Sequence, residues 1–91
     1  MLTLKDVLAL CELTEEEVRA IAEHEHLPEV VAAEMGNYLI HCADGIPHIR
    51  RMIVDDIAAA EAREDRARVL ELKAVLRHFA ENHPHAKAYA R

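Results

Sequence analysis

Apolar residues in this chain recur at helical spacing in each segment long enough to test. No stretch alternates with the period of two that a half-buried strand requires. Leu4, Val7, Leu8 and Cys11 make the first stripe. Thr3 precedes it, placed for its hydroxyl to accept the Asp6 amide, with the Asp6 carboxylate near the positive end of the helix dipole. The pattern breaks at Glu12-Leu13 and restarts at Thr14. Thr14-Glu15-Glu16-Glu17 is a capping box, and Leu13 and Val18 flank it as a hydrophobic staple. The second helix carries Val18, Ile21 and Ala22 on its apolar face. It runs to about His26, because Pro28 disfavours helical geometry at Leu27.

The third helix, about Pro28 to Ala43, holds the most continuously apolar run of the chain. Pro28 suits a first turn, where its missing N–H costs nothing. Val31, Met35, Tyr38, Leu39 and Cys42 follow the spacing of a buried face, and Val30 and Ile40 lie beyond it. Ala32, Ala33 and Gly36 form a small-residue face. Gly36 in a helix interior costs roughly 1 kcal/mol relative to Ala, which suggests close approach of another backbone there. Asp44-Gly45-Ile46-Pro47 reads as a turn.

A fourth helix follows from about Pro47 to Arg63. Ile46, Ile49, Ile53, Ile57 and Ala60 lie on one side, with Asp55, Asp56, Glu61 and Arg63 mostly opposite. Glu64-Asp65 contains no strong breaker, so the next segment either starts at an Asp65 cap or continues the same helix. A hairpin is expected, since one helix of about 35 residues is unusual in a small domain. The fifth helix, about Arg66 to Asn82, carries a stripe of Val69, Leu72, Val75, Leu76 and Phe79, with Leu70 off it. Asn82 and Pro84 stop it, and residues 84–91 read as a flexible C-terminal tail. The expectation is an all-α, compact bundle of about five helices in one domain over residues 1–83. It comprises two short N-terminal helices, a central helix and a C-terminal helical hairpin.

Composition sharpens this picture. Of 91 residues, 52% are hydrophobic, but sixteen are alanine and none is Trp, so the core is small in volume as well as in length. Met35 and Met52 act as adaptable fillers. Val30, Ile40 and Leu70 exceed what one buried face requires, and burying each is worth on the order of 1.5–3 kcal/mol. A homodimer is therefore expected, with Val30, Met35, Gly36, Ile40 and Leu70 as interface candidates. The net charge of −6 divides into −8 over residues 1–45 and +2 over residues 46–91. Unlike halves then attract across a two-fold axis. An acidic chain without a basic stripe argues against a nucleic-acid partner.

Glu23-His24-Glu25-His26 is the leading candidate for chemistry. Glu23 and His26 form a Glu-x-x-His pair on one helical face. Di-iron bundles use two such pairs with two further carboxylates; one is present here, and a symmetric dimer would supply the other. Glu23, His26 and His24 are thus candidate ligands for a divalent metal, iron or zinc. The competing reading is a solvated helix end, with His26 on terminal carbonyls. His41 and Cys42 point about 100° apart and do not share a metal. His78, Glu81, His83 and His85 make a looser polar cluster.

No catalytic residue stands out. Both cysteines sit on apolar stripes rather than beside an activating base, and no glycine-rich phosphate loop occurs. The first two helices have a helix-turn-helix outline, but Glu15-Glu16-Glu17 would oppose DNA where a recognition helix should begin. Two cysteines make no disulfide framework, no apolar run reaches membrane-spanning length, and the first residues do not read as a secretory signal. A reducing cytoplasm with both thiols free is the expectation.

The stretch LTEEEVRAIAEHEHLPEVVAAEMGNYLIHCADGIP, the following IRRMIVDDI and the run LRHFAENHP together resemble a small helical bacterial protein family. The resemblance implies an all-helical fold and no particular activity. The residues themselves favour a non-enzymatic cytosolic protein acting through protein–protein contacts, a homo-oligomer with a regulatory or structural role. The alternative is a metal-binding helical protein using His and Glu ligands.

Overall fold

A computed structural model describes residues 3–10 and 12–83, and over these the chain forms five helices and no strand. They are α1 (Leu4–Leu10), α2 (Glu15–Glu25), α3 (Glu29–Leu39), α4 (Gly45–Ala62) and α5 (Arg66–Asn82). The all-α bundle expected from the periodicity is the one observed. Its radius of gyration, 12.7 Å, is close to the roughly 12 Å of a compact chain this long. The expected tail at 84–91, and Cys11 in the first stripe, lie outside the described residues. No helix among the described residues is long and apolar enough to cross a membrane.

Local chemistry sets most helix ends. The Thr14 hydroxyl accepts the Glu17 N–H at 3.2 Å, and the Glu17 carboxylate accepts the Thr14 N–H at 2.8 Å. The box satisfies two donors that helix starts otherwise leave unpaired. Thr3 and Asp6 exchange a similar pair of bonds, both 3.2 Å. Between α4 and α5, Glu64 takes the left-handed conformation at φ 58. Its N–H reaches Glu61 O at 3.0 Å, and the Asp65 N–H reaches Ala60 O at 2.9 Å. This is the Schellman closure of a helix end. Asp65 then caps α5 by accepting the Arg68 N–H at 3.2 Å. The hairpin reading therefore holds, and a non-glycine residue in that backbone region costs about 1 kcal/mol.

α2 packs on α3, α4 and α5, α4 packs on α2, α3 and α5, and α1 lies against α3. Val18, Ile21, Ile49, Met52, Ile53, Leu72 and Phe79 fill the shared core. The buried face of α3 differs from the expected one. Ala32, Ala33 and Gly36 are buried, whereas Val31 and Tyr38 are exposed, and Met35 and Leu39 are half-buried. The physical reason is that α3 receives large side chains instead of supplying them. A Cβ on Gly36 would collide with Leu13 Cδ1 and sit 3.0 Å from Ile21 Cδ1. The close approach at Gly36 is thus made by side chains of the same chain. Gly36, named above as an interface candidate, is a core position.

The α3–α4 connection also differs from expectation. α3 stops at Leu39 rather than Ala43, and α4 starts at Gly45 rather than Pro47. Between them the chain turns tightly. The Cys42 N–H donates to Leu39 O at 2.9 Å, and the Gly45 N–H to Cys42 O at 3.2 Å. Pro47 consequently falls inside the first turn of α4, where it breaks no helical hydrogen bond.

Candidate functional site

A cluster of titratable groups lies where the end of α2 meets α4 and α5. Two ties cross this junction. Glu23 Oε2 on α2 is 2.7 Å from Arg68 Nη2 on α5. His24 Nε2 is 3.0 Å from Asp55 Oδ2 on α4, while its Nδ1 is 2.7 Å from Glu25 Oε2. Asp56 follows Asp55 but turns inward: it is only 5% exposed, and its Oδ2 has no hydrogen-bond partner. The sequence reading set Asp56 opposite the apolar side, and the structure corrects it. Ile49, Ile53, Asp56 and Ala60 are all buried on α4, and their spacing of four, three and four places them in one row.

Burial pushes the Asp56 carboxyl up to about 6 from its ordinary 3.8; the Glu23 and Asp55 charges add to this, and His24 and Arg68 oppose it. Burial alone would lower His24. Hydrogen bonds to Asp55 and Glu25, with the charges of Asp56 and Glu25, outweigh it and hold the imidazole above its usual 6.5. The site therefore favours protons on both groups.

Two of the three candidate metal ligands have other partners here. Glu23 pairs with Arg68, and His24 has both ring nitrogens against carboxylates. α2 ends at Glu25, and His26 leaves it in the left-handed conformation at φ 56 with its side chain exposed. Glu23 and His26 thus do not share a continuous helical face. Among the described residues no group of three or more His, Cys, Asp or Glu is arranged to hold a metal ion.

The remaining histidines are dispersed as well. His41 pairs with Glu12 at 3.3 Å. His78 Nδ1 lies 3.2 Å from Glu17 Oε2. The His83 ring stacks on Phe79 with centroids 4.6 Å apart. Cys42 is a free thiol that donates to Tyr38 O at 3.4 Å. A groove of about 380 Å³ between α2 and α5 contains Arg19, Arg68 and His78. Each of these three side chains already faces a glutamate, Arg19 on Glu15, Arg68 on Glu23 and His78 on Glu17.

A second candidate is apolar. On α3, Val31 is 45% and Tyr38 71% exposed, with half-buried Met35 between them. The i, i+4, i+7 spacing makes them one stripe. On α5, Leu70 is 69% exposed, beside exposed Arg66, Lys73 and Arg77. Val30 and Ile40 are half-buried, and Ile40 packs against the core. Sequence reasoning missed Asp55, Asp56 and Arg68 as site residues. The row through Ile49 and Ile53 was the available signal for Asp56; nothing local marks Arg68, because its partner lies on α2. No family model, no curated protein and no solved structure matches the chain.

Proposed function

We propose that the protein works through protein–protein contact, and that its partner is a second copy of itself, with α3 of one copy against α5 of the other. The observation that carries this reading is the exposure of Val31 and Tyr38 on one stripe of α3, with Met35, half-buried against the core, between them. Full burial of side chains this size is worth on the order of 1.5–3 kcal/mol each, which is large beside the total stability of a small domain. Charge selects the pairing. Glu34 is exposed beside the α3 stripe, and Arg66, Lys73 and Arg77 share the face of α5 that carries Leu70, with Glu61, Glu64 and Asp65 across the groove on its other flank. Opposite charges around an apolar centre steer and register an interface. A face-to-face α3 pair would instead set Glu34 against its own kind. A two-fold arrangement makes the α3–α5 contact twice. Residence in the cytoplasm, where Cys42 stays reduced, and a regulatory or structural role complete the reading. No catalytic step belongs to it.

Light scattering at micromolar concentration should give a dimeric mass. A monomeric mass with a concentration-independent melt would overturn the proposal. Tyr38→Glu and Leu70→Glu should each weaken the dimer at least tenfold, equivalent to about 1.4 kcal/mol. The pairing has its own check. Glu34→Lys and Lys73→Glu should each weaken self-association, and mixing the two variants should restore a hetero-pair. If both variants dimerise like wild type, α3 does not meet α5.

A further inference from the structure

The two ties from α2, Glu23 to Arg68 and His24 to Asp55, flank a buried acid that has an unpartnered oxygen. We propose that this junction is a proton-operated joint, which holds α2 on α4 and α5 while Asp56 and His24 carry protons and loosens as they lose them. The inference goes beyond the self-association reading and does not rest on it.

The geometry at His24 makes the first half of the argument. Both ring nitrogens lie within hydrogen-bond distance of carboxylate oxygens, 2.7 Å to Glu25 and 3.0 Å to Asp55. Only the imidazolium can donate at both. The neutral ring keeps one N–H and turns a lone pair toward the other carboxylate, so one contact is lost on deprotonation. If that contact is Asp55, α2 loses a tie to α4.

Asp56 makes the second half. Its carboxyl is buried, and an ionised group in such a place is costly unless it is paired and hydrogen-bonded. The charged groups acting on it are Glu23 and His24 from α2, Arg68 from α5, and Asp55 from its own helix. Arg68 is itself held by Glu23 at 2.7 Å, and Asp55 is held by His24. Neither cation is therefore left to Asp56 alone, and the neutral acid is the form that suits the site.

The two groups act in the same direction. Asp56 is raised to about 6 from 3.8, so its stabilising contribution is fully present below pH 3.8 and is lost as pH rises through about 6. His24 is raised above 6.5, so its contribution is present below 6.5 and is lost as pH climbs through its folded value. Stability linked to protons follows the difference in protons bound by the folded and unfolded chains. A shift of this size in Asp56 alone is roughly a hundredfold in the folding constant, or about 3 kcal/mol at 1.36 kcal/mol per unit.

Urea unfolding of the full chain at acidic, near-neutral and mildly alkaline pH tests the joint. The wild-type folding constant should fall roughly a hundredfold across the series. The Asp56→Asn variant should lose much less than wild type, with its remaining fall confined to the range above pH 6.5 that His24 governs. General repulsion among surface charges changes almost equally in both chains and cancels in the comparison. A flat wild-type series, or parallel losses in the two chains, would overturn the proposal. Should Asp56→Asn not fold, carbon-detected NMR of the wild-type Asp56 carboxyl decides. A midpoint near 6 supports the joint, and a midpoint in the ordinary carboxylate range overturns it.

Discussion

Gly45→Ala is expected to destabilise the fold by about 3 kcal/mol, at the upper end of the overpacking range. The direction is informative, because Ala is ordinarily the better helix former by roughly 1 kcal/mol. Gly45 is the first residue of α4 and has no positive φ, so its conformation does not require glycine. Space does. A Cβ there would run into the carbonyl carbon and oxygen of Leu39 and come 2.9 Å from Leu39 Cα. These are backbone atoms, pinned by the Cys42 N–H on Leu39 O at 2.9 Å, and they cannot swing aside as a side-chain tip would. The turn between α3 and α4 must open to admit the methyl group. Thermal melts measure this directly, at about 4–8 °C per kcal/mol for a domain of this size. A melting temperature equal to or above wild type would show that the turn yields without cost.

Phe79→Ala should be of similar or greater consequence, about 3–5 kcal/mol. Phe79 is the only Phe of the chain and is fully buried. Its neighbours cannot easily close the gap, since much of the core is alanine, with Ala20, Ala32, Ala33 and Ala60 also fully buried. At 0.05–0.15 kcal/mol per residue the whole domain has about 5–14 kcal/mol to lose, so the variant approaches the unfolding threshold at room temperature. Phe79→Leu keeps most of the volume and should cost about 1.5 kcal/mol. Urea midpoints of the two variants against wild type give the comparison. A loss below about 1 kcal/mol for Phe79→Ala would mean that α5 closes on α2 and α4 without its ring.

Local signals are legible in this sequence, and tertiary ones are not. The Thr14 box, the stop at His26 and the Asp65 cap depend on residues three or four positions apart, and the sequence displays such spacings openly. The face of α3 was misassigned because periodicity weighs large apolar residues as core. Here the bulk comes from Leu13 and Ile21, and α3 answers with Ala32, Ala33 and Gly36. The small-residue face was visible, but which side of α3 meets α2 is a property of the pair. Asp56 is hard to place for a related reason: a charge reads as exposed even where its position falls in the buried row of α4. The Glu23–Arg68 and His24–Asp55 ties join residues 45 and 31 positions apart, and no local pattern encodes them.

Glu17 has a consequence for motion as well as for capping. It is 1% exposed; one carboxylate oxygen takes the Thr14 N–H, and the other meets His78 Nδ1, 61 positions away. The Asn82 amide in turn donates to His78 O at 2.9 Å. Helix ends ordinarily fray one at a time and at little cost. Opening either end here exposes the same carboxylate and strands its partner, so the start of α2 and the last turn of α5 should open as one unit. Amide exchange reads this at Val18, whose N–H lies on Thr14 O, and at His83, whose N–H lies on Phe79 O. Glu17→Ala should hasten exchange at both amides together, whereas acceleration at Val18 alone would mean that the two ends breathe independently.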